Sequence, residues 1–152
     1  MCTQRVNLMQ FSNSTGLIQL GSIVTIPVKV PPFQTNGYVY GLEFSKSGRL
    51  LYYSTLWPLP IPEVSHIFQY FISTGVETLV GSRPNTAGLS LTALQLAPDG
   101  KIYIAQDGEE VLGVITSPET PGLGCNVQFA AVPLSVGSFG THGLPNHVRD
   151  LM

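Results

Sequence analysis

Apolar residues along this chain come in short bursts rather than long periodic stretches. Nowhere do they keep the i, i+3, i+4, i+7 spacing of an amphipathic helix over about twelve residues, and Pro or Gly interrupts most windows of that size. Strand patterns recur instead. Gly21–Val30 is rich in β-branched residues and partly alternates, and Ile67–Ile72 and Val111–Thr116 are compact apolar runs. Tyr38–Ser45 and Arg49–Ser54 flank Lys46-Ser47-Gly48; Leu91–Ala97 and Lys101–Ala105 flank Pro98-Asp99-Gly100. Two apolar runs around a short turn containing Gly predict a β-hairpin, because Gly accepts the positive φ that closes it. In the second turn Pro presets φ and Asp bonds to the backbone ahead. The fold class is all-β.

The runs also repeat. Gly41-Leu42-Glu43-Phe44-Ser45-Lys46-Ser47-Gly48-Arg49 aligns with Ala93-Leu94-Gln95-Leu96-Ala97-Pro98-Asp99-Gly100-Lys101 at an offset of 52, and Leu51-Tyr52 meets Ile102-Tyr103 after a one-residue slip. The opening returns at His142-Gly143-Leu144-Pro145-Asn146. A second repeat aligns Leu8–Gly16 with Ile67–Gly75 at an offset of 59. Four short strands in a unit of about 50 residues are the pattern of a β-propeller blade, with a β-sandwich as the simpler competitor. On this reading residues 5–36 hold the outer strands of one blade, and 38–85 and 91–137 are full blades of four antiparallel strands. Residues 141–148 begin the inner strand of the next. The total is about three blades, fewer than the roughly four to eight of a closed ring. The expectation is therefore a partial propeller, half of an oligomeric ring, or a segment of a longer chain.

Tyr40-Gly41-Leu42-Glu43-Phe44-Ser45-Lys46-Ser47-Gly48-Arg49-Leu50-Leu51-Tyr52 resembles a blade of the secreted, Bacteroidetes-type propeller domains with WD40-like blades. Those domains occur in gliding-motility-associated and type IX-secreted surface proteins. Leu94–Ala105 is similar to the family's most typical segment, and Leu112–Ile115, Pro118, Gly124-Cys125-Asn126 and Gly143-Leu144-Pro145-Asn146 continue in its order. Lys46-Ser47 replaces Pro-Asp in the first turn, and His147 stands where the family has an aromatic residue. The resemblance implies an exported or cell-surface setting and carries no catalytic residues over.

Composition narrows the function classes. Only 7 Lys+Arg and 9 Asp+Glu occur in 152 residues, while 16 glycines and 12 prolines punctuate the chain. With 43% apolar residues it is too hydrophobic for disorder. No apolar run reaches the roughly 18 residues of a membrane helix, so membrane insertion is not expected. A net charge of −2 without a basic cluster gives no footprint for nucleic acid. The N-terminus lacks the basic and apolar regions of a signal peptide. Cys2 and Cys125 are read as two unpaired thiols, since nothing local brings them together. Asn13-Ser14-Thr15 fits a glycosylation sequon, a match of three residues that carries little weight.

Candidate chemistry is sparse. Glu43 lies mid-strand between apolar neighbours, where it either faces solvent or lines a channel and holds a cation or polar ligand. Asp107-Gly108-Glu109-Glu110 groups three carboxylates but lacks the alternating oxygens of a calcium loop, so it reads as a solvated turn. His142, His147 and Cys125 lack metal-ligand spacing, and Cys125, His142 and Asn146 have the residue types of a thiol nucleophile, base and orienter without the context that activates a thiol. Trp57 belongs to Leu56-Trp57-Pro58-Leu59-Pro60-Ile61-Pro62, a polyproline-like apolar loop suited to packing or protein docking.

These readings favour a non-catalytic binding or scaffolding module, with Glu43, Trp57, His142, Asn146 and His147 as ligand-contact candidates. The ligand class is protein or glycan; no metal and no cofactor is expected. The chain is expected to form a homo-oligomer, a dimer closing a six-blade ring, or to be part of something longer. One alternative is a propeller-type hydrolase or lactonase with a channel metal, held by Glu43, Asp99, Asn126, Asn146 and the histidines. Another is a purely structural self-assembling unit.

Overall fold

The computed structural model describes residues 5–28, 38–56, 64–84 and 90–145. It is all-β. Among the described residues ten strands run in chain order: β1 (Arg5–Ser12), β2 (Leu17–Pro27), β3 (Tyr38–Phe44), β4 (Leu50–Leu56), β5 (Val64–Phe71), β6 (Val76–Pro84), β7 (Leu91–Leu96), β8 (Ile102–Gln106), β9 (Val111–Ile115) and β10 (Val127–Pro133). A 3-10 turn over Gly122–Cys125 is the only helical element among the described residues, and none is long and apolar enough to cross a membrane. The strands form a two-stranded hairpin (β1-β2) and two four-stranded antiparallel sheets, β3-β4-β5-β6 and β7-β8-β9-β10.

Each sheet is a meander in which consecutive strands pair, as short turns dictate. The turns repeat as the sequence does. Gly48 N–H bonds to Ser45 O and Gly100 N–H to Ala97 O, at 2.9 and 3.0 Å, with φ of 71° and 80°. The offset-59 repeat closes its turns alike: Gly16 N–H reaches Ser12 O at 2.8 Å and Gly75 N–H reaches Phe71 O at 2.9 Å. Only glycine adopts these backbone angles at little cost, which is why it recurs at the same turn position.

The sheets stack in chain order. One core lies between the two four-stranded sheets: Leu50, Tyr52, Ile67 and Val80 from the first meet Leu91, Leu94, Leu96, Ile102, Ile104, Ile115 and Cys125 from the second. The other face of the first sheet carries Leu51, Tyr53, Phe68 and Tyr70, which pack on Val6, Ile26 and Val28 of the hairpin layer. Alternation along β4 and β5 divides their residues between the two cores, so the central strands of the first sheet are buried on both faces. Burying large side chains on two faces contributes about 1.5–3 kcal/mol per residue.

The two four-stranded sheets approach closely where β3 meets β7. A Cβ on Gly41 would press on the Thr92 carbonyl oxygen and lie 2.8 Å from Leu94 N. The expected inner strand over residues 141–148 does not form over 141–145, which run without strand pairing. Pro145 has no N–H to offer a ladder, and no strand among the described residues pairs with this segment.

Candidate functional site

Most polar side chains of the interior span the two four-stranded sheets. Glu43, on β3, accepts from the backbone N–H of Leu96 at 2.9 Å through Oε2 and from that of Phe44 at 2.9 Å through Oε1. The carboxylate left open to solvent or channel by its sequence position is thus directed at the main chain of the neighbouring sheet. Ser54 adds a second link, accepting from Gly41 N–H at 2.8 Å and donating to Thr92 O at 2.6 Å.

Tyr52 and Gln69 form a cross-strand pair on the same face. The Tyr52 hydroxyl donates to Pro118 O at 3.0 Å and accepts from Gln69 Nε2 at 2.6 Å. Gln69 also donates to Thr120 O at 2.9 Å, and its Oε1 accepts from Gly122 N–H at 2.7 Å. This buried amide thus ties the Tyr52 hydroxyl of its own sheet to two backbone groups of the loop between β9 and β10. Burial drives the Tyr52 phenol far above the usual tyrosine range, and the Gln69 hydrogen bond offsets only part of that. It stays a neutral donor.

Glu119 in the same loop reaches back to the first turn. It accepts from Ser47 N–H at 2.9 Å, from the hydroxyls of Ser47 and Ser45, and lies 3.7 Å from Arg49. Partial desolvation raises its pKa, but these donors and the guanidinium outweigh it and hold the carboxyl below its ordinary value. Ser45 and Ser47 of the first turn therefore supply donors to a carboxylate of the loop between β9 and β10. At the outer end Arg83 of β6 pairs with Glu109 and bonds Gln106 Oε1 at 2.6 Å. So Glu109, expected in a solvated acidic turn, is engaged by a cation from the first sheet.

The remaining candidates are dispersed. His142 is exposed, 3.7 Å from Asp107 and with its ring 5.7 Å from that of Tyr40, so an aromatic, an imidazole and a carboxylate share one surface. Tyr40 was not singled out by the sequence; its place beside His142 depends on packing between β3 and the segment after β10. Trp57, Asn146 and His147 lie outside the described residues, as do Cys2 and nearly all of the proline-rich loop. Cys125 is a buried free thiol whose pKa is raised by burial, while His142 is on the surface. A nucleophile–base pair does not arise from them. Asp99 is held below its ordinary value, with desolvation opposed and outweighed by Lys101 N–H, the Tyr103 hydroxyl and the Lys101 charge. Among the described residues no three of His, Cys, Asp and Glu converge as metal ligands. Asn13-Ser14-Thr15 occupies the exposed β1–β2 turn.

An open groove of about 500 Å³ runs over the outer face of the second sheet. It is lined by Gln95, Tyr103 and Leu112 of the sheet, by Asp99 of the β7–β8 turn, and by Leu144 and Pro145 after β10.

Comparison of the chain with family models, curated proteins and solved structures finds no match in any of the three.

Proposed function

We propose that the chain is a non-catalytic binding or scaffolding module built of propeller-type blades, acting at an exported or cell-surface location. The observation that carries this reading is the use of Glu43 and Gln69, the two mid-strand polar residues best placed for chemistry. Both end on backbone groups of the next sheet. Their role is to join sheets. Two successive meanders, repeating at an offset of 52 and stacked face to face, suit blades in series. The resemblance of Tyr40–Tyr52 and Leu94–Ala105 to secreted surface propellers supplies the location.

The ligand surface on this reading is the patch of Tyr40, His142 and Asp107. An exposed ring beside an imidazole and a carboxylate suits a protein or glycan, stacking against an apolar face and hydrogen-bonding at its edge. The test is a screen of immobilised glycans and peptides with wild-type chain and with Tyr40→Ala and His142→Ala. Binding lost in both variants, with no turnover of ester or lactone substrates in the presence of divalent metals, is the expected result. A stoichiometric bound metal required for turnover overturns it.

A further inference from the structure

The chain's two end faces hold the same repeat positions as its internal interface, one half-buried around a groove and the other exposed among the described residues. Glu43 and Tyr52 are a cross-strand pair on the first sheet, and Gln95 and Tyr103 are the corresponding pair on the second. The first pair is closed over by the second sheet: Tyr52 is 0% exposed and Glu43 is bonded to Leu96 N–H. The second pair lines the open groove. The opposite end of the stack behaves likewise. Phe68 and Tyr70 face the hairpin layer and are 5% and 8% exposed. The offset of 59 places Met9 and Phe11 at their positions on β1, and they are 45% and 59% exposed.

In the stack each sheet meets the next through opposite faces, so the face left over at one end is of the kind that mates with the face left over at the other. We propose that the groove face of one copy, with Gln95, Tyr103 and Leu112, docks the β1-β2 hairpin of a second copy through Met9 and Phe11. This association is head to tail and rests on the scaffolding reading above. Among the described residues, Leu144 and Pro145 of the segment after β10 line the groove beside this face. The occupant is a second copy because Met9 and Phe11 hold the repeat positions of Phe68 and Tyr70, the residues through which the first sheet packs on the layer before it in the chain. A heterologous contact repeated twice closes a two-fold ring; otherwise it propagates.

Sedimentation equilibrium tests this with three proteins: wild type, a tail variant Met9→Lys/Phe11→Lys, and a head variant Tyr103→Lys. Met9 and Phe11 are exposed in the chain, so the tail variant keeps its fold, which circular dichroism checks. Wild type associates, and each variant alone associates at least about 30-fold more weakly, the loss produced at an interface hot spot. Mixing the two variants restores a heterodimer, because one intact head still meets one intact tail. If the head variant does not fold, the tail variant mixed with wild type gives only capped, shorter assemblies. A wild-type monomer at tens of micromolar (about the range of weak specific assembly) overturns the proposal. So does an association that ignores the tail substitutions, which leaves the binding role intact. Ester or lactone turnover strikes the function and spares the docking.

Discussion

Glu43 in β3 and Leu96 in β7 are joined by a carboxylate-to-backbone hydrogen bond of 2.9 Å that crosses from one four-stranded sheet to the other. Removing the carboxylate leaves the Leu96 N–H without that acceptor. Glu43→Ala is expected to cost about 1.5 kcal/mol, the lower end for a hydrogen bond to a charged group because Glu43 is only half-buried. Glu43→Gln keeps an acceptor oxygen and costs less. Urea denaturation midpoints at constant m-value measure both; equal losses in the two variants would show that charge alone matters.

Gly41 stands where β3 meets β7. In Gly41→Ala the new Cβ meets backbone atoms, Thr92 O and Leu94 N, which cannot rotate away. The loss is expected to reach about 3 kcal/mol, at the upper end for overpacking. Gly21→Ala, in β2, meets nothing within 4 Å and serves as the control. A thermal melt of Gly41→Ala matching that of Gly21→Ala would refute the close approach.

Tyr52→Phe removes one hydroxyl and with it the links to Pro118 O and Gln69. The expected cost is about 1–2 kcal/mol. Gln69→Leu costs more, since Thr120 O, Gly122 N–H and the Tyr52 hydroxyl lose a partner together. A double-mutant cycle between these positions is expected to show coupling, because they share one network.

His66 and Glu119 each shape part of the pH response. His66 is buried, with Nδ1 2.9 Å from Ser82 Oγ, and burial lowers its pKa below the ordinary 6.5. The unfolded chain takes up the proton first. The contribution is therefore present above the ordinary value and is lost as pH falls toward the lowered one. His66→Asn is expected to flatten the melting temperature between about pH 7.5 and pH 5.5. Glu119, held below its ordinary 4.5, contributes above that value and loses its contribution as pH falls through the folded value. Glu119→Gln reduces that acid limb slightly, the group being partly exposed. Stability profiles of the two variants separate the limbs.

The strands were legible where β-branched and aromatic runs flank a glycine turn. The β3–β4 and β7–β8 hairpins follow from Lys46-Ser47-Gly48 and Pro98-Asp99-Gly100, whose glycines take the positive φ those turns need. β6 and β10 were visible only through the repeat, because Val76–Pro84 and Val127–Pro133 mix polar and apolar residues at a solvated edge. The 3-10 turn at Gly122–Cys125 had no local signal. It is fixed from outside, by Gln69 on Gly122 N–H and by burial of Cys125. For the same reason Glu43 read as a ligand candidate. Its partner is a main-chain amide 53 positions away, which no side-chain pattern announces.

The hydrogen bonds that Glu43 and Gln69 carry across the sheet boundary reach main-chain groups: Leu96 N–H, Thr120 O and Gly122 N–H. Such a joint is blind to the identity of the side chains on the far side. The residues that supply it are constrained on one sheet only, while the receiving sheet can drift in sequence provided its backbone keeps its path. Duplication or exchange of a whole sheet then carries a ready-made connector with it, and a stack of this kind can lengthen or be reshuffled without redesigning the seams.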